Sequence, residues 1–249
     1  MLTTQLNIME VVEKGQMFIE KGNDYVFDHL KVILRTADDE YFYAKTSTRS
    51  LQININELDM TPIPAEHIWP LAEPRFTRAP TPLPSTCYLK RPRLLYYENT
   101  RSESDYACHI LTDVEACEIL RNNPHPNLAQ YWGCVVKDGR IRGLCFTKYS
   151  MTLSQMLKDE IPFERSRCLR GIEAGVRHMH GLGLVHNDLN LSNIMMEGDC
   201  PVIIDFDSCK REGHKLGSKT GTLDGENYAK RDNDLYNLSE IRAALLNEN

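Results

Sequence analysis

The segment VHNDLNLSNIMMEGDCPVIIDFD places His186, Asp188, Asn193 and Asp205 close together in the chain. Carboxylates and carboxamides are oxygen donors of the kind that a hard divalent cation takes. A carboxylate beside a hydroxyl can also orient it or accept its proton. Asp188 and Asn193 are five residues apart, and Asp205 follows twelve later. Any one of these residues alone reads as a solvated turn residue. The whole set at this spacing reads as a site.

Several elements must position the set. Leu169, Ile172, Val176 and Met179 recur at helical spacing, which predicts a helix over 163–180 with Gly181 as its C-cap. Asp188 and Asn193 then lie on the loop that follows. NIMM and PVIID form a hairpin around Glu197, Gly198 and Asp199, which returns the chain so that Asp205 faces that loop. Upstream, LAQYWGCVV and RIRGLCFTKY form a hairpin at Lys137-Asp138-Gly139, and STCYLKRP predicts a short strand ending near Lys90. Residues 110–121 read as a helix with Asp113 as N-cap and a stop from Asn122 to Pro124. A short helix is expected around LSQMLKD, and a last one over 234–246 with Leu235, Leu238, Ile241 and Leu245 on one face.

The first 61 residues read as a β-rich extension. HLKVILRT and YFYAKT flank an acidic turn, and LQININELDM supplies a strand with Leu51, Ile53 and Ile55 on one face. Seven of the chain's 12 prolines fall in 62–84. Proline at that density opposes helix and central strand, so this stretch reads as an extended connector. Trp69, Leu71 and Phe76 favour docking of that connector on its neighbour. The expected division is therefore 1–61, 62–84, 85–149 and 150–249.

Taken together, HNDLNLSN and IDFD resemble the catalytic and metal loops of the protein-kinase superfamily, H-R-D-L-x-x-x-N and D-F-G. The resemblance covers roughly 85–246. It implies an α+β, two-lobed fold with a truncated helical C-lobe. With the HPNL turn, the motifs also resemble atypical kinase-like proteins common in fungi. The resemblance implies that Asp188 orients or deprotonates the acceptor, that Asn193 and Asp205 hold Mg²⁺, and that Lys90 meets the phosphates of ATP. Its carboxylate partner is expected on the 110–121 helix as Glu115 or Glu118, with Glu115 preferred. Thr147 falls at the gatekeeper position, and Lys148 and Tyr149 would lend backbone groups to adenine. Gly221-Thr222 resembles the G-T ahead of A-P-E, and Asp234 resembles the aspartate that braces the catalytic loop.

Some features depart from that pattern. None of the 14 glycines lies between Gly22 and Gly133, so FTRAPTPLPSTCYLK replaces the glycine-rich loop. Asn187 stands for the arginine of H-R-D, Asn190 for the Ser/Thr-kinase lysine, and Asp207 for the glycine of D-F-G. No A-P-E follows. Three functions fit: an ATP- and Mg²⁺-dependent kinase acting on protein Ser/Thr hydroxyls, a pseudokinase scaffold, or a small-molecule kinase of the aminoglycoside or choline type. The net charge of −6 argues against a nucleic-acid partner. No run long enough for a membrane span and no secretory signal is visible. A cytoplasmic or nuclear setting is expected, with the eight cysteines as free thiols.

Overall fold

The computed structural model describes residues 9–98, 104–216 and 228–246. The chain divides into two compact units. One holds the chain up to Trp69 together with Pro92–Ala107, and the other holds Pro70–Arg91 and the chain from Cys108 onward.

In the first unit, β1 (Met9–Lys21), β2 (Asp24–Thr36), β3 (Tyr41–Thr46) and β4 (Met60–Ile63) form one antiparallel sheet in chain order, followed by the single turn α1 (Ala65–Ile68). Leu30, Val32, Leu34 and Ala44 form a core on one face. Alternation puts Ile33 on the other face of β2, where Tyr41 also packs against the buried Trp69. The strand expected over LQININELDM does not form. Asn54 accepts the Asn56 N–H and caps a 3₁₀ turn at Ile55–Glu57, yet Ile53 and Ile55 still pack on the sheet. Long β1, which the sequence reading did not anticipate, pairs with β2 along its whole length.

The second unit begins with Pro70 and leads to β5 (Cys87–Lys90). Next come α2 (Ser104–Asn122), β6 (Tyr131–Lys137) and β7 (Arg140–Thr147). Strands β5, β7 and β6 lie side by side, with the expected tight turn at Asp138 and Gly139. Then follow β8 (Met151–Thr152), α3 (Leu153–Lys158), α4 (Arg165–Gly181) and β9 (Leu184–Val185). The chain continues through β10 (Ile194–Glu197), β11 (Cys200–Ile203), β12 (Lys210–Arg211) and α5 (Arg231–Leu246). The β10–β11 hairpin forms as expected, and β10 also pairs with β8. Leu235 is exposed, so the inward face of α5 carries Asp234, Ile241 and Leu245 instead.

Of the connector expected over 62–84, residues 62–69 belong to the first unit as the end of β4, α1 and Trp69, and the part from Pro70 onward docks on β6 and β7. Ile141 N–H donates to Pro70 O (3.0 Å), Ala72 N–H to Gly139 O (2.8 Å) and Cys134 N–H to Thr77 O (2.8 Å). Phe76 is buried, whereas Leu71 is exposed and contributes only its backbone. Six cysteines are free, but Cys87 and Cys145 are joined. Antiparallel pairing sets Leu89 opposite Cys145 and Cys87 opposite Thr147, so both sulfurs project from one face, with Cα atoms 6.0 Å apart.

Candidate active site

Lys90 ends β5 and reaches two carboxylates. Its Nζ lies 2.5 Å from Asp113 Oδ2 on α2 and 2.5 Å from Asp205 Oδ1. Asp113 is therefore the partner on the helix, not Glu115 or Glu118, and it is not an N-cap, because α2 begins nine residues earlier, at Ser104. Glu115 instead pairs with Arg75 (2.9 Å), and Glu118 accepts from Thr77. The helix phase explains this. Ile110, Val114, Cys117 and Leu120 are buried along one face, and Asp113 lies on that face. Counting that apolar face in the sequence would have found it.

Burial alone would push Lys90 below its usual range, but the charges of Asp113, Asp205 and Asp207 outweigh it and hold the ammonium well above that range. For Asp113, burial wins over Lys90 and raises the carboxyl. For Asp205, burial would also raise it, but Lys90 prevails and the carboxyl is lowered.

The loop after β9 is built on Asp234, which is fully buried. It accepts the N–H of His186 (2.9 Å) and of Asn187 (2.8 Å), together with His180 Nε2 (2.8 Å). These bonds satisfy a buried carboxylate and fix the loop backbone. Asn187 adopts a left-handed φ of 64°, and its side-chain amide donates to Val185 O and Ser208 O (both 3.0 Å). With Nε2 protonated, His186 donates to Ile204 O (3.0 Å), while its Nδ1 accepts the Asp188 N–H (3.3 Å). Its ring lies edge-on to buried Phe206.

Asp188 and Asn193 meet directly. Asn193 Nδ2 donates to Asp188 Oδ2 (3.0 Å) and Asp188 O (2.8 Å). That orientation leaves the Asn193 side-chain oxygen as a donor to a cation. Ile204 N–H donates to Asn193 O (2.9 Å), which ties this loop to the residue before Asp205. Asp205, like Asn187, is left-handed, at φ 66°. Asp and Asn tolerate that conformation better than most residues, and the surrounding bonds hold it. A carboxylate and a carboxamide oxygen are donors of the kind a hard divalent cation takes, and Asp205 and Asn193 would be the residues to hold one here.

The expected nucleobase residues are only partly arranged for that role. Lys90 pairs with Leu144 and Tyr88 with Phe146, so the face of β7 shared with Lys90 carries Leu144 and Phe146. Thr147 points the other way, where its hydroxyl accepts from Trp132 Nε1 and donates to Gln130 Oε1 (both 3.0 Å). Buried Phe146, not Thr147, is thus on the face of β7 that Lys90 shares. Lys148 N–H is engaged by Thr86 O (2.8 Å), and the Tyr149 hydroxyl accepts the Gln130 N–H (3.2 Å). Gly221 and Thr222 lie outside the described residues.

No family model matches the chain. It is 26% identical over 133 residues to a mitogen-activated protein kinase kinase kinase of Arabidopsis thaliana, a match covering 52% of this chain and 20% of that relative. It is 31% identical over 108 residues to a dual serine/threonine and tyrosine protein kinase of Strongylocentrotus purpuratus, covering 39% of this chain and 11% of that relative. The chain thus spans a fifth or less of the length of these two curated relatives. A solved structure of the yeast RNA polymerase II CTD kinase CTDK-1 complex aligns with a TM-score of 0.47 and 18% identity, over 56% of this chain and 51% of that one. The sequence matches and the order of elements around Lys90, Asp188 and Asp205 give the second unit a protein-kinase-like fold.

Proposed function

We propose that the chain is an atypical, ATP- and Mg²⁺-dependent phosphotransferase acting on a protein Ser/Thr hydroxyl. One observation carries this reading: Lys90 joins α2 and the metal loop through Asp113 and Asp205, while Asp188 and Asn193 meet on the adjoining loop. In phosphoryl transfer little covalent chemistry falls to the protein, so positioned charges do most of the work. Lys90 would neutralise phosphate oxygens, and Asp188 would orient the attacking hydroxyl. Asn193 and Asp205 would hold Mg²⁺, which when bound offsets charge on the transferred group.

A second reading, a nucleotide-binding scaffold without turnover, is favoured by the 70–86 segment. Where a glycine loop would offer N–H groups to phosphates, Thr77 and Ala79 already donate theirs to Glu118 and Cys134. The two readings separate by thermal shift with ATP·Mg²⁺ and by γ-phosphoryl transfer, each for wild type and Asp205→Asn. The kinase reading expects a wild-type shift and transfer, both lost in the variant. A shift without transfer to any protein supports the scaffold, and no shift at all overturns both.

A further inference from the structure

Residues 73–79 touch the outer side of the helix that carries Asp113. Glu118 takes two bonds from Thr77, one from its N–H (2.7 Å) and one from its hydroxyl (2.8 Å). One turn earlier, Glu115 takes Arg75 Nη2 (2.9 Å), and the Arg75 guanidinium also lies over the Phe76 ring. Phe76 itself is buried. The same residues are fixed from behind by β6: Cys134 N–H donates to Thr77 O (2.8 Å), and Ala79 N–H donates to Cys134 O (2.9 Å). The segment thus makes a single parallel bridge to β6, at Arg78 and Cys134, while the Arg75 and Thr77 side chains meet α2.

At 100° per residue, Glu118 lies about 140° and Glu115 about 160° around α2 from Asp113. One side of the helix therefore engages Lys90 while the segment holds the opposite side. Asn187, where the resembled motif has arginine, donates its side-chain amide to Val185 O and Ser208 O.

We propose that residues 73–79 are a built-in brace that keeps α2 where Asp113 engages Lys90, with Glu118 as the positioning residue and Thr77 as its partner. The consequence for catalysis rests on the phosphotransfer reading; the brace itself does not. On the side away from Lys90, α2 is then held by its own chain.

The test compares Glu118→Leu, Thr77→Val and Thr77→Ser by hydrogen exchange of α2 and β10–β11 peptides, and by KM for ATP. Glu118→Leu is expected to speed exchange in α2 about tenfold while leaving β10–β11 unchanged. Thr77→Val, which keeps the backbone bond, should give a smaller effect, and Thr77→Ser should match wild type. KM for ATP should rise in Glu118→Leu but rise no further when Asp113→Asn is already present. Unchanged α2 exchange in a folded variant overturns the brace, as does equal acceleration everywhere. If Glu118→Leu does not fold, Thr77→Val decides. If wild type neither binds nor turns over ATP, the phosphotransfer reading falls, and the exchange result alone decides the brace.

Discussion

Lys90 and Asp113 are unequal partners, because Lys90 retains a second carboxylate and Asp113 has no second cation within reach among the ion pairs described. In Lys90→Met the nearly inaccessible Asp113 carboxylate is left uncompensated, a loss of about 3–5 kcal/mol for a buried charge. Asp113→Asn keeps the shape, leaves Lys90 on Asp205, and should cost nearer ~2 kcal/mol, as for a hydrogen bond to a charged group. The sign with pH follows. Burial already raises Asp113 in the folded protein, and Lys90 opposes that rise. Without Lys90 the rise is larger. A raised carboxyl costs nothing below its unfolded value near ~3.9 and its full penalty above its folded one. Urea unfolding of Lys90→Met should therefore fall further below wild type at pH 8 than at pH 5; an equal deficit at both would refute an ionised, unpaired Asp113. Asp188, Asn193 and Asp205 were legible because their types and spacing lie in one continuous segment. The lysine's partner was not, because which acid on α2 meets it depends on the phase of the helix. Two glutamates of suitable length drew the reading away from the shorter aspartate on the apolar face.

At the scale of elements, the short hairpins were the legible part. Asp138-Gly139 and Gly198-Asp199 are local turn chemistry, and each joins strands already marked by apolar runs. Which side of β7 Thr147 takes is not legible in the sequence, because one residue of register moves every side chain across the sheet and only pairing with β5 fixes it. The docked 70–86 segment shows the same dependence on a distant partner. It lies against β6 because Gly133 leaves room: at φ +134° a Cβ there would come 2.5 Å from the Arg78 carbonyl carbon and 2.6 Å from Ala79 N. Gly133→Ala should thus cost about 1–3 kcal/mol in backbone strain and also loosen the two bonds through Cys134. Chemical denaturation measures the first effect, and faster exchange at the Cys134 amide the second. A variant as stable as wild type, with Cys134 still protected, would mean that the close approach is absent in solution.

For the whole molecule, the order of the chain matters more than its length. After Lys90 the chain enters the first unit as residues 92–98 and only then returns as α2 with Asp113. The segment is well anchored there. Glu13 accepts the N–H groups of Leu94 (2.7 Å) and Leu95 (3.2 Å), the Tyr97 hydroxyl meets His67 Nδ1 (2.7 Å), and Lys31 donates to Tyr97 O. Leu94 and Tyr97 are buried. The sequence marked the first 61 residues as a separable extension because composition breaks at the prolines, and composition says nothing of a later segment that returns to the same sheet. A chain starting at Pro70 would keep Leu94 and Tyr97 but lose Glu13, Lys31 and His67. Each of these buried apolar side chains contributes about 1.5–3 kcal/mol when removed from water, so their exposure should favour self-association. The truncated chain should bind a hydrophobic dye and aggregate on gel filtration, and Leu94→Ser with Tyr97→Ser should reduce both. The same pair of substitutions should lower the thermal midpoint of the full chain. A truncated chain that is monomeric and dye-silent would show that residues 92–98 fold without the first unit, and that the link between Lys90 and α2 is independent of it.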